Sequence, residues 1–287
     1  MIKLAVTLAA LYLRGGPRSV ELRRSAWPEV LRILRRANCE PGHAPEALRE
    51  AGRWAEALVL ESPGLLDWAS SIVEGGRVLS VVDGGYPCRW ARVLGCSAPP
   101  ILWKTGELAP LPSVSVVGSR IVPSVVSRFC HRAAREAARL GFAVFSGRAE
   151  GCDRAAAAGA LSIGGAVVEV LPNGIGLVRS PAHSCMLSVC APDEPFSSAA
   201  AMERNVLIYA ASSHTIIGQA RFKEGGTWHG AVHAARSRLS SLIVRRSDDI
   251  AMRSLAALGG LWLDSPSDLA LALKSPAPQR ELFESAG

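Results

Sequence analysis

Three apolar runs in this sequence end in small residues beside a cation, a combination that suits phosphate binding. These residues are Gly118, Ser119 and Arg120 in "SVSVVGSR", Ser146, Gly147 and Arg148 in "FSGRAEGCD", and Lys223, Gly225, Gly226 and Thr227 in "ARFKEGGTWHGA". Glycine lets an anion approach the backbone closely, the start of a helix donates N–H groups, and arginine offers a fork of donors. One such turn is typical of any strand-to-helix connection, but three in a basic protein favour a phosphate-binding edge.

Alternating strands and helices would bring these turns together. Runs rich in Val and Ile predict strands at 77–82, 114–119, 142–147, 166–171, 214–219 and 241–246. Helical patterns lie between most of them, at 124–140, 153–163, 199–211 and 228–237. This order predicts an α/β fold, a mostly parallel sheet with helices on both faces. Ligands bind beyond the carboxyl ends of the strands in such sheets, where the three turns would lie.

The first quarter of the chain shows a different pattern. Apolar residues recur at helical spacing in "PEVLRILRRA", and 44–60 is rich in helix formers. The segment 1–13 is interpreted as a first helix rather than as a signal peptide. The sequence therefore predicts a small helical module over 1–74, a core over 75–274 and a polar tail over 275–287.

Composition limits the kind of partner. The 287 residues carry 32 Lys and Arg against 25 Asp and Glu, a net charge of +7, which favours an anionic partner. The seven cysteines are odd in number and contain no CxxC pair, so neither a disulfide framework nor a zinc ribbon is indicated. No apolar run reaches membrane-spanning length. These features favour a cytoplasmic protein without a membrane partner.

No pattern for catalysis or cofactor binding stands out. The GxGxxG and GxxxxGK[ST] fingerprints are absent, which argues against NAD binding and against a P-loop ATPase. His229 and His233 have helical i, i+4 spacing but lack the glutamate of a metalloprotease motif. We therefore expect no catalytic residue, metal or cofactor.

Two basic or aromatic features have alternative interpretations. Arg128, Arg132, Arg135 and Arg139 form one helical stripe, which either follows a nucleic-acid backbone or is a solvated outer face; the second is favoured. Trp228 either stacks on a base or anchors its helix in the core, and the core is favoured.

The sequence resembles the DNA-processing protein A (DprA, or Smf) family over about two-thirds of its length. The resemblance rests on "DGGYPCRWARVLGCSAPPILWKTGELAPL", "VVGSR", "SGRAEGCDRAAAAGAL", "APDEPFSSAAAMERNVLIYAASS" and the Gly-Gly-Thr turn. It implies an extended Rossmann-like fold that binds single-stranded DNA, hands it to a RecA-type recombinase and forms homodimers. It also implies DNA contacts by Arg120 and Lys223, while Arg204 and Asn205 are candidates for holding the 118–120 turn or a phosphate.

The chain departs from the family pattern in several places. Glu150 stands where a basic residue is common, and "GGTWHGA" stands where Ser-Gly-Ser-Leu is more usual. The short segment after residue 273 predicts that the C-terminal winged helix of some members is absent.

Three functions therefore compete. The first is a single-stranded DNA-binding protein that assists recombination or the processing of incoming DNA. The second is an enzyme like the nucleotide phosphoribohydrolases, which needs a glutamate after the glycine turn, whereas Glu224 precedes it. The third is a small-nucleotide sensor that uses the same edge of the sheet.

Overall fold

The computed structural model describes residues 2–13, 26–37, 40–179 and 184–276. Contacts between Cα atoms divide the chain into two units. The first comprises Met1–Thr105, Asn173–Arg179 and Leu187–Pro195, and the second comprises Gly106–Pro172, Ser180–Met186 and Phe196–Gly287. The unit that contains the N-terminal helices thus continues to Thr105, and the division at residue 75 stays a prediction. Most of the predicted tail, 277–287, lies outside the described residues.

The first unit is mainly helical. Its elements are α1 (Ile2–Leu13), α2 (Trp27–Arg36), α3 (Ala44–Glu50), α4 (Trp54–Leu60), α5 (Leu65–Glu74), β1 (Val78–Ser80), α6 (Cys88–Leu94) and β2 (Ile101–Thr105). The stretch 44–60 forms two helices rather than one, because the chain turns at Gly52 with a φ of 75°. Strands β1 and β2 pair antiparallel, with Val78 opposite Trp103.

The second unit alternates strands and helices. Its elements are β3 (Ser113–Val117), α7 (Ser124–Arg139), β4 (Ala143–Ser146), α8 (Cys152–Leu161), β5 (Val167–Val170), the first three residues of β6 (Ser184–Ser188), α9 (Ser198–Ala211), β7 (His214–Ile217), α10 (Gly225–Arg236), β8 (Ser241–Arg245), α11 (Ile250–Ala257), β9 (Leu261–Leu263) and α12 (Leu269–Ala272). The strand order here is β6-β5-β4-β3-β7-β8-β9. Parallel pairing joins β5 to β4, β4 to β3, β3 to β7, β7 to β8 and β8 to β9.

Strand β3 shows how both faces of this sheet are covered. Val114 and Val116 belong to the buried cluster formed with α7 and α8. The side chain between them, Ser115, donates a hydrogen bond of 2.6 Å to the carbonyl oxygen of Ile208 on α9. Successive side chains of a strand point to opposite faces, so helices lie on both. The observed sheet confirms the predicted α/β class, and the structure adds the strands β2, β6 and β9 to those predicted.

Helices α7, α8 and α10 follow the turns at the carboxyl ends of β3, β4 and β7. The candidate residues in these three turns therefore lie at one edge of the sheet. None of the described helices is both long and apolar enough to span a membrane.

Candidate phosphate-binding cleft

The carboxyl ends of β3 and β7 border an open cleft of about 620 Å³ within the second unit. The starts of α8 and α10 and most of α9 complete its wall. Eight of the sequence-predicted residues line it: Gly118, Ser119, Arg120, Arg204, Asn205, Gly225, Gly226 and Thr227. The fold thus gathers residues that are up to 109 positions apart in the chain (118 to 227) into one surface.

The turn after β3 is shaped by close packing. The backbone N–H of Ser119 donates to the carbonyl oxygen of Gln219 at 2.9 Å, which ties this turn to the end of β7. A Cβ atom on Gly118 would lie 2.3 Å from the Sγ of Cys152, so only glycine fits. Arg120 follows and is exposed, and its side chain has no ion pair or hydrogen bond among the described residues. Its guanidinium is therefore available to a ligand.

Two buried thiols lie beneath this edge of the sheet. A Cβ atom on Gly218, which follows β7, would lie 2.3 Å from the Sγ of Cys130 and 2.9 Å from that of Cys152. Both cysteines are fully buried. A hydrogen bond with Cys152, together with burial, raises the pKa of the Cys130 thiol well above its ordinary value. The glycines at both strand ends thus leave space that sulfur fills.

Asp153, in the first turn of α8, joins the turns after β3 and β4. Its carboxylate accepts hydrogen bonds from the backbone N–H groups of Gly118, Gly147 and Ala149, the last at 3.3 Å. Burial raises its pKa to about 6, although Arg204 and these hydrogen bonds oppose the shift. No role for Asp153 was predicted from the sequence. The available signal was an aspartate in the first turn of an alanine-rich helix, where it complements the helix dipole.

Arg204 on α9 faces the same carboxylate from the other side of the turn. Its Nη1 lies 3.9 Å from the Oδ2 of Asp153, and both side chains are at most 7% exposed. Its Nε is buried without a hydrogen-bond partner among the described residues. A Cβ atom on Gly147 would lie 1.4 Å from Nη1, so glycine makes room for the guanidinium. A buried charge with one donor unused suits an anionic ligand in the cleft.

The turn after β7 brings the start of α10 to the cleft. Gly225 has a φ of 72°, and a Cβ atom on Gly226 would lie 2.7 Å from the Nδ2 of Asn205. No side chain caps the N-terminus of this helix. Tyr209 on α9 donates a hydrogen bond of 3.1 Å to the carbonyl oxygen of Thr227 and holds the two helices together. The uncapped N–H groups and the helix dipole favour an anion here.

The two cations near this turn, Lys223 and Arg221, differ in whether they line the cleft. Lys223 is exposed, and its Nζ lies 5.2 Å from the centre of the Phe222 ring, but it is not among the residues that line the cleft. Arg221 does line it and has no ion pair among the described residues. The sequence pattern favoured Lys223, which lies closer to the glycine turn, and Arg221 was not predicted. A DNA contact by Lys223 stays a prediction.

The turn after β4 contributes differently. The hydroxyl of Ser146 is fully buried and donates to the carbonyl oxygen of Val116 at 3.0 Å. Arg148 pairs with Glu169 on β5. Ser146, Gly147 and Arg148 are not among the residues that line the cleft, and their assignment to ligand binding stays a prediction.

The remaining aromatic and histidine candidates lie on α10. Trp228 is 8% exposed and packs edge-on against Phe222, with ring centres 4.9 Å apart. His229 and His233 are exposed. No group of three potential metal ligands occurs among the described residues.

Comparison with solved structures identifies proteins that have a similar fold. DNA processing protein A from Streptococcus pneumoniae matches with a TM-score of 0.66 and 18% identity, over 87% of this chain and 93% of that one. DNA processing protein A from Helicobacter pylori matches with a TM-score of 0.59 and 20% identity, over 69% of this chain and 95% of that one. These similarities show a shared fold. No curated protein matches the chain.

The sequence itself carries the family assignment. Residues 77–249 match the model of a family described as DNA recombination-mediator protein A. A mediator of recombination agrees with the prediction that the chain is not an enzyme. Because the match spans more than half of the chain, this chain belongs to the DNA recombination-mediator protein A family.

Proposed function

We propose that the protein binds single-stranded DNA in the cleft and holds it mainly by its phosphates. One observation carries this proposal: Arg120, Arg204 and Arg221 surround one cleft that also contains the uncapped start of α10. Arginine and helix N-termini both bind phosphate well, and the net charge of +7 attracts a polyanion.

The choice of a single strand has its own support. Apolar side chains at the cleft are unusually exposed: Phe196 by 53%, Met202 by 69% and Ile121 by 79%. Unpaired bases can pack on such side chains, whereas the bases of a duplex are already stacked on each other. The similar Helicobacter pylori protein has a single-stranded DNA binding mode. A flexible single strand can also bend to follow the three cations.

We further propose that the bound strand passes to a RecA-type recombinase, and that the protein acts as a cytoplasmic homodimer in recombination or in processing incoming DNA. The family description as a recombination mediator supports the first part. The dimer and the recombinase rest on the family resemblance.

The test is a titration with single-stranded, duplex and mononucleotide ligands over a range of salt. If three or four phosphates are neutralised, the log–log salt slope for a single strand is about −2 to −3, at about 0.7 per phosphate. Arg120→Ala and Arg221→Ala each weaken binding to any base sequence and make the slope shallower by about 0.7. Arg253→Ala is the control, because Arg253 is exposed and unpaired on α11 within the described chain. Unchanged affinity in both variants contradicts the proposal.

A small nucleotide is the second candidate ligand. The cleft volume of about 620 Å³ lies within the range of small-molecule sites, roughly 300–1,000 Å³. Thymidine monophosphate that binds more tightly than an oligonucleotide favours this candidate. Release of free base from a nucleotide, abolished by Glu224→Gln, would instead favour an enzyme, since Glu224 also lines the cleft.

A further inference from the structure

The outer face of α7 carries a second basic surface, separate from the cleft. Arg132, Arg135 and Arg139 line a groove of about 560 Å³ together with Glu136, Ile163, Pro266 and Ser267. We call this surface the arginine groove. Arg128, one turn closer to the start of α7, is exposed on the same stripe.

The positive charge of the arginine groove is mostly unbalanced. Arg139 pairs with Glu136 through two hydrogen bonds, of 2.6 and 2.8 Å, which hold the pKa of that carboxyl below its ordinary value. Arg128, Arg132 and Arg135 have no ion pair among the described residues. Like charges three or four residues apart repel each other and destabilise a helix. An anionic partner would remove this repulsion.

The position of α7 connects the groove to the cleft. The helix begins at Ser124, four residues after Arg120, and runs from the carboxyl end of β3 toward the start of β4. The stripe from Arg128 to Arg139 spans eleven residues, or about 16 Å at 1.5 Å per residue. At about 3.4 Å per phosphate along one strand, and more when the strand is extended, this length matches about three to five phosphates.

We propose that the arginine groove binds the next part of the same single strand, beyond the nucleotides held in the cleft. This inference rests on the proposed function. A nucleic acid fits better than an acidic protein for two reasons: the cations recur at nearly even intervals along one line, and the helix that carries them begins four residues after Arg120 of the cleft. Ile163, 40% exposed at the groove, offers an apolar contact to an unpaired base. The site therefore has two segments, and only a long strand occupies both.

The test compares a six-nucleotide and a thirty-nucleotide thymidine strand on the full-length protein. Arg132→Ala/Arg135→Ala weakens binding of the long strand by at least about tenfold and makes its salt slope shallower by about 1.4, from two contacts at 0.7 each. It leaves binding of the short strand unchanged. The matched control is Arg236→Ala/Arg253→Ala, which removes the same charge from exposed, unpaired arginines of the described α10 and α11.

Each outcome separates the two proposals. Equal affinity of the groove variant and the control for the long strand overturns the groove, even when the short strand binds normally. An equal loss for both strands also overturns it, because the groove would then belong to the cleft. Wild-type protein that binds neither strand contradicts the proposed function itself, and the groove with it.

Discussion

The turns after β3 and β4 contain the same residue types and differ in what surrounds them. Both have a glycine, a serine and an arginine at the carboxyl end of neighbouring parallel strands. Arg120 of the first turn is exposed at the cleft without an ion pair among the described residues. Arg148 of the second is paired with Glu169, and the neighbouring Gly147 is covered by Arg204.

The difference shows that a turn acquires its role from its neighbours. The strand beside β4 supplies a carboxylate, Glu169, that neutralises Arg148. On the other side of β3, the segment after β7 contributes the backbone carbonyl of Gln219 to the first turn. The first turn therefore keeps the guanidinium of Arg120 for a ligand, while the second holds Arg204 beside Asp153.

The largest effect is expected at Gly147. In Gly147→Ala the new Cβ would lie 1.4 Å from the Nη1 of Arg204, so the guanidinium has to leave the buried carboxylate of Asp153. We expect a loss of about 3–5 kcal/mol in the free energy of unfolding, together with weaker DNA binding. Urea denaturation and a binding titration measure both. Gly84→Ala is the control, since nothing lies within 4 Å of its added Cβ. A stable Gly147→Ala variant would show that Arg204 is not held there.

The second effect concerns Asp153, which serves both turns. Its pKa is raised from 3.8 to about 6, so the folded protein keeps a proton that the unfolded chain has already released. The contribution of Asp153 to the free energy of unfolding is therefore largest below about pH 4. It falls by on the order of 3 kcal/mol as the pH rises to about 6. Asp153→Asn removes this decline. Denaturation at a series of pH values measures it, and identical pH profiles for the two proteins would contradict the assignment.

The third prediction separates the two arginines. Arg120→Ala should weaken single-strand binding about tenfold and leave stability unchanged, because it loses charge-assisted contacts to phosphate only. Arg148→Ala should instead lower stability, since it leaves the buried carboxylate of Glu169 without this partner. Salt-dependent titration and denaturation of both variants test this. A shallower salt slope in Arg148→Ala would show that the second turn also binds phosphate.

The smallest effect is expected at the two serines. Ser146→Ala loses a buried hydrogen bond of 3.0 Å to Val116, which is worth about 1 kcal/mol of stability. Ser119→Ala loses a longer contact of 3.3 Å at a partly exposed site, so its stability should change less. Urea denaturation of the two variants compares them. Equal stability losses would mean that both hydroxyls are structural.

The fold could be predicted largely because its signals are local. The runs at β3, β4 and β7 are rich in β-branched residues and stand between helical patterns. Strands β6 ("SCMLS") and β9 ("LWL") contain no β-branched residue, and neither was predicted. Strand pairing stabilises them in spite of their weak local preference.

The site was less accessible to sequence analysis, since its key contacts join distant segments. Arg120 and Gly225 could be found because a turn is specified by adjacent residues. The pairing of Arg148 with Glu169 spans 21 positions, and that of Arg204 with Asp153 spans 51 (204 − 153). Nothing near Asp153 in the chain indicates that its carboxylate accepts N–H groups from two turns. Only the fold shows which charges neutralise each other.

The Sγ of Cys152 packs against Gly118. The rate at which this thiol reacts with a reagent therefore measures how often the first turn opens. Cys130 and Cys152 are fully buried, and the raised pKa of Cys130 keeps its reactive thiolate scarce. A thiol reagent can reach them only when this edge of the sheet opens, whereas the exposed Cys88 and Cys96 react without any opening. The exposed thiols calibrate the reagent. Peptide masses separate the labelling of Cys130 and Cys152 from that of the buried Cys185 and Cys190, so their labelling rate measures the local opening. A strand bound across the turn should slow the labelling of Cys130 and Cys152 alone, so occupancy of the site can be recorded in the protein without a substitution.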